Sequence, residues 1–181
     1  MTTATETKTT EARKIDWDKY QIRCSSLPTL MTNPKLKSEV LSETAKSMLR
    51  EVWIEETFGR KKFDTSNKYT EKGLFAEQDS LDLVSRVLGL GFIAKNKENL
   101  FNDYIKGTPD VTQPILLDVK SSWDIWTFSA VDEKKARKDY FWQLFGYMVL
   151  LGVDKCLLTY ALVDTPENIR ETELYRLTQN L

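Results

Sequence analysis

The run Cys156–Val163, Cys-Leu-Leu-Thr-Tyr-Ala-Leu-Val, is almost continuously apolar and rich in β-forming residues. A strand with no polar face has to be covered on both sides, which is the setting of a parallel strand in a sheet flanked by helices. This one segment points to an α/β architecture.

The rest of the pattern agrees. A helix is expected from about Asp132 to Leu151, stopped by Gly152. Another is expected over Ser42–Thr57, where Ala45, Met48, Leu49, Val52 and Trp53 recur at three and four residues, with Ser42 as N-cap and Gly59 as stop. A third runs from about Lys72 to Leu88 with Leu74, Leu81, Val84 and Leu88 on one stripe, ending at Gly89 and Gly91. Short runs of β-formers, Phe92–Ala94, Phe101–Lys106 and Ile115–Lys120, read as strands, the last two separated by Thr112-Gln113-Pro114. The expected order is α-β-β-β-α-β, a mixed sheet flanked by helices. Residues 1–13, Thr-rich and poor in large apolar groups, read as a disordered tail, and 14–181 as one domain with its core at about 71–163.

Composition narrows the chemistry. With no histidine, Ser-His-Asp and Cys-His nucleophile systems are excluded, as are most zinc and non-haem iron sites. Two cysteines, Cys24 and Cys156, can neither ligate an iron–sulfur cluster alone nor build a disulfide framework. Carboxylates, lysine and oxygen-liganded metals remain. A formal net charge of -1 gives no global basic field, so a nucleic-acid partner has to be held by local patches. Two segments qualify: Arg60–Lys72, and Lys134–Lys138 with Lys134, Lys135, Arg137 and Lys138. Either is also what a solvated surface looks like. No apolar run approaches the roughly 20 residues of a membrane span, and no signal peptide is visible, so a cytoplasmic protein without a membrane partner is expected.

The polar interruptions of the apolar pattern carry the functional signal. Glu77 falls on the apolar stripe of its helix, where a lone carboxylate is costly; it either reaches water or a lysine, or is held inside by a cation. Asp110 and Asp118 flank the turn near Thr112–Pro114, a geometry that sets Asp110 roughly opposite Leu116, and Asp118 shares a strand face with Lys120. A cross-strand ion pair on a wet face explains Asp118 and Lys120, but not Asp110 and Glu77 as well. Clustered hard oxygen donors suit Mg²⁺ or Mn²⁺, which offset charge at a phosphate and lower the pKa of an attacking water. Lys120 beside them could orient or deprotonate that water.

Gly107-Thr108-Pro109-Asp110 followed by Asp118-Val119-Lys120 resembles the signature of the PD-(D/E)xK nuclease superfamily. Gly73-Leu74-Phe75-Ala76-Glu77 resembles its GxxxE helix motif, and Gln143-Leu144-Phe145-Gly146-Tyr147 the QxxxY motif of the RecB-like and phage lambda-exonuclease-like branches. The element order matches the restriction-endonuclease-like core of that superfamily. The resemblance implies Asp110 and Asp118 as metal ligands, Glu77 as a direct or water-mediated ligand, the Val119 carbonyl as another, and Lys120 as the water-activating group.

By the same resemblance Gln143 and Tyr147 support the site or touch the DNA backbone, although Tyr147 with Tyr140, Leu144, Met148 and Leu151 can also be core. Ser121 and Ser122 could hydrogen-bond a phosphate or simply end a strand. Ser25, in Ile22-Arg23-Cys24-Ser25-Ser26, resembles the phosphate-contacting serine of the lambda-type enzymes. Trp123 and Trp126 could stack on bases or pack in the core. The implied activity is Mg²⁺-dependent hydrolysis of DNA, as an exonuclease of phage or mobile-element recombination or end processing, in a bacterial host cell if phage-encoded. The implied partner is DNA with a free end, and a homo-oligomer or a single-strand annealing partner stays open. Two alternatives remain: a restriction-type or structure-specific endonuclease, and a catalytically silent DNA-binding protein of the same fold.

Overall fold

A computed structural model describes residues 12–60, 76–165 and 167–179. Residues 1–11 of the expected tail, most of the basic segment Arg60–Lys72, and Gly73-Leu74-Phe75 of the GxxxE motif lie outside the described residues. The described chain runs β1 (Ile22–Arg23), α1 (Leu27–Leu30), α2 (Glu43–Phe58), α3 (Glu77–Leu88), β2 (Leu100–Phe101), β3 (Ile105–Gly107), β4 (Leu117–Ser121), α4 (Ile125–Ser129), α5 (Glu133–Leu151), β5 (Leu157–Ala161) and α6 (Glu167–Gln179). These residues fall into two compact units. One comprises described residues within Met1–Tyr20 and Thr29–Asp64, the other those within Gln21–Pro28 and Thr65–Leu181. Among the described residues no helix is long and apolar enough to cross a membrane.

The first unit is built on α2. Ser42 is its N-cap, its hydroxyl accepting from the Ala45 amide at 3.0 Å, and Gly59 closes it with φ 64° in the left-handed region that glycine tolerates. The Arg13 amide donates to the Thr57 carbonyl at 2.7 Å, tying the incoming chain to the last turn.

The second unit holds the α/β core. β4 and β5 pair in parallel from Leu117–Leu157 to Ser121–Ala161, as the two-sided apolar run of β5 requires. Period-two alternation sends Leu117 and Val119 to one face, where Leu81 and Val84 of α3 meet them together with Ile93, Val111 and Ala161. It sends Leu116 to the other, where Leu144 and Tyr147 of α5 close a second cluster with Cys24. A small mixed sheet completes the unit: β1 runs parallel to β3, and β2 antiparallel to it.

Three expectations need correction. Phe92–Ala94 is not a strand: Phe92 is 90% exposed, only Ile93 turns into the core, and Gly91 at φ 72° breaks the extended path. Phe101–Lys106 is not one strand but the two arms of a hairpin, folded where the Asn102 side chain accepts from the amides of Tyr104 and Ile105. The turn before β4 sets Val111 opposite Leu117, two residues out of the expected register, which carries Asp110 toward Asp118 rather than Leu116.

Two glycines permit the close packing behind the second cluster. A Cβ on Gly107 would lie 2.6 Å from Cε1 of Tyr147, and one on Gly146 would lie 2.9 Å from the Cys24 sulfur. Gly146 accepts the usual helix penalty for glycine because the Cys24 turn rests directly on the α5 backbone. Burial pushes the Cys24 thiol up to about 11, so it serves as a small packing group and not as a nucleophile. Gly107→Ala is expected to destabilise the protein by about 1–3 kcal/mol, since the ring it strikes is itself packed. The denaturant midpoint should fall with the slope unchanged. A midpoint equal to that of the parent would show that Tyr147 yields freely.

Candidate active site

Asp118 is the second residue of β4 and is 2% exposed. Its Oδ2 meets Lys120 Nζ at 2.6 Å as an ion pair and accepts no aligned hydrogen bond, leaving a buried carboxylate oxygen with spare capacity. Asp110, brought alongside by the Val111–Leu117 bridge, accepts at Oδ2 from the Val119 amide at 2.8 Å. Its carboxyl is pushed up to about 6, first by burial and next by the charge of Asp118, with Glu77 adding to the push while the Val119 amide and Lys120 pull back. The loop that presents Asp110 is held by Asn96, whose amide donates to the Asp110 carbonyl at 2.7 Å and whose side chain donates to the Pro109 carbonyl at 3.1 Å.

Glu77 opens α3. It pairs with Lys95, the partner that keeps its carboxylate tolerable on a partly apolar helix face. Gln143 and Tyr147 stand one turn apart on α5, Gln143 Nε2 donating to the Tyr147 oxygen at 3.2 Å. Burial, reinforced by the charges of Asp118 and Asp110 against the pull of Gln143, pushes the Tyr147 phenol up to about 12. Tyr147 is thus both core and neighbour to the acids.

A cleft of about 510 Å³ opens against Tyr147, lined also by Ser25, Arg23, Lys106, Gly107 and Thr108. Arg23 and Lys106 are paired in register across the parallel β1–β3 pair. Neither was singled out from sequence, although Arg23 lies in the same segment as Ser25. Ser121 is placed elsewhere: alternation turns it to the α3 face, where its hydroxyl bonds that of Ser80 at 2.7 Å. Lys134, Lys135, Arg137 and Lys138 are exposed on the first turns of α5, Arg137 paired with Glu133 at 2.7 Å. Val119 contributes its amide to Asp110, and Trp126 is 77% exposed on α4.

The donor set here is oxygen only, with two close acids whose mutual repulsion a hard cation would relieve. Among the described residues no three acidic, histidine or cysteine side chains stand together as a metal-ligand group, Glu77 being engaged by Lys95. The pair Asp110 and Asp118 fits a divalent ion by its chemistry.

A parallel β4–β5 pair between two helices, with Asp110, Asp118 and Lys120 converging at its edge, defines the PD-(D/E)xK nuclease class. No family model matches the chain, and no curated protein does. A solved phage-related exonuclease from Haemophilus somnus 129PT is 34% identical, with a TM-score of 0.74 over 83% of this chain and 71% of that one. An alkaline exonuclease from Laribacter hongkongensis, 14% identical, shares the fold with a TM-score of 0.55 over 82% of this chain and 73% of its own. The chain belongs to the lambda-exonuclease-like branch of the PD-(D/E)xK superfamily.

Proposed function

We propose that this protein is a Mg²⁺- or Mn²⁺-dependent DNA exonuclease of phage or mobile-element type, acting in recombination or DNA end processing. The observation that carries the reading is the pair of buried Asp118 and half-buried Lys120 set beside Asp110, on a chain 34% identical to a phage-related exonuclease. Asp110 and Asp118 would hold the ion, with Glu77 as a further ligand, direct or through water, and the Val119 carbonyl as another. When bound, a divalent ion supplies charge at the phosphate and lowers the pKa of the attacking water.

The chain's own groups do the rest. Lys120, fixed 2.6 Å from Asp118, presents an ammonium that orients the water and meets charge developing on the phosphate. Tyr147 accepts from Gln143 and stays protonated, so its hydroxyl hydrogen is free to be donated to a backbone oxygen. Arg23, Lys106 and Ser25 line a cleft whose charge and size suit a phosphate. The exposed lysines of α5 offer sequence-independent contacts farther along the strand.

The test is release of end label from linear duplex by protein stripped with EDTA, then supplied with one ion at a time. Mg²⁺ and Mn²⁺ should restore cleavage. Ca²⁺ should occupy the acids but support little turnover, because its looser coordination positions the water poorly. Undiminished cleavage in EDTA would remove the metal from the mechanism.

A further inference from the structure

Helix α5 presents to the site one aromatic residue that the proposed chemistry leaves unused. Tyr140 lies one turn before Gln143, with Lys120 Nζ 4.9 Å from its ring centroid. The contact is not isolated. In the parallel register Lys120 is paired with Tyr160 of β5, whose phenol is pushed up to about 12, first by burial and next by its neighbour Tyr140. Tyr140 also packs on the cluster of Cys24, Leu116, Leu144 and Tyr147, so its ring rests on the same support as the QxxxY motif.

A lysine needs such help. Its ammonium sits on a flexible four-carbon stem, and an ion pair with one carboxylate fixes the distance to that carboxylate but not the direction from which the ammonium faces the reacting phosphate. A cation over an aromatic face is attracted by the ring quadrupole, which supplies the missing constraint. Asp118 holds Lys120 from one side at 2.6 Å and the ring of Tyr140 holds it from another.

We propose that Tyr140 is a positioning residue for Lys120, its ring face setting where the ammonium stands. The inference rests on the role given to Lys120 under the proposed nuclease activity. It concerns how that residue is held.

The experiment compares Tyr140→Leu, Tyr140→Phe and the parent, full chain in each case, on linear duplex with Mg²⁺, reading kcat, KM and melting temperature. Tyr140→Leu keeps an apolar side chain but has no π face; kcat should fall by about tenfold with KM for DNA within about twofold. Tyr140→Phe keeps the face and should recover kcat to within about threefold of the parent. The melting temperatures of the two variants should lie close together. If Tyr140→Leu does not fold, Tyr140→Met supplies the face-free variant at similar volume. Equal kcat in the Leu and Phe variants would overturn the inference, as would a rise in KM at unchanged kcat, which would place the ring against DNA. A parent that releases no label would instead overturn the nuclease reading itself, so the two failures are distinguishable.

Discussion

Asp118→Asn is expected to lower phosphodiester cleavage by about 10³-fold or more while the protein stays folded. The substitution is nearly isosteric, so the site between β4 and α5 keeps its shape; what is lost is the charge that meets Lys120 at 2.6 Å and would ligate the ion. Lys120 is left without its partner but keeps some contact with solvent, its side chain being 27% exposed, which moderates the cost of breaking the pair. The effect on Asp110 has a definite sign. Its carboxyl stands near 6 against an ordinary 3.8, so in EDTA the folded protein loses stability as pH rises through that window. Asp118→Asn removes the second-largest cause of the shift, and the loss over the same window should shrink. Cleavage assays give the first quantity and melting temperatures in EDTA at pH 4 and pH 7 the second. A variant that cuts at near the parent rate would dismiss Asp118 as a ligand.

Helix ends and the two long strands were legible because each carried a local physical mark. Ser42 and Asp132 accept from amides three residues on, and Gly59, Gly89 and Gly152 adopt the left-handed conformation that closes a helix. Asp118 on β4 was legible because Asp interrupts sequence that otherwise favours a sheet. Alternation also places Ser121 opposite to Lys120, a consequence available from sequence that outweighs the simple nearness of the two in the chain. Asp124 and Thr127 form a capping box that starts α4, and its spacing is likewise present in the sequence.

Other features depend on long-range geometry that local pattern does not encode. The register that brings Asp110 toward Asp118 is set by the whole turn and by the Val111–Leu117 bridge. The two-residue strand Ile22–Arg23 has no periodicity to detect, yet it places Arg23 beside Lys106. Lys95 comes from an irregular segment, and nothing in its neighbours marks it as the partner of Glu77.

Linear duplex should be consumed from its ends while covalently closed circles survive a long incubation intact. The reason lies in the burial of the chemistry. Asp118 is 2% exposed, and the cleft of about 510 Å³ against Tyr147 is lined by Arg23, Ser25, Lys106, Gly107 and Thr108, a setting that suits one strand better than stiff duplex. A strand freed at an end can be led in. The charge distribution points the same way, since a net charge of -1 offers no broad grip on duplex, and the exposed cations of α5 cluster on its first turns. Four phosphate contacts from Lys134, Lys135, Lys138 and Arg137 should by themselves contribute a slope of about −3 to −4 to the fall of the logarithm of affinity against the logarithm of salt. Reversing those charges should flatten that slope and weaken binding alike for all sequences, because phosphates carry no sequence information. Digestion of linear, nicked and closed circular forms of one plasmid, resolved by length over time, reads the outcome directly. Closed circles cut as fast as linear DNA would replace the exonuclease with an endonuclease built on the same acids.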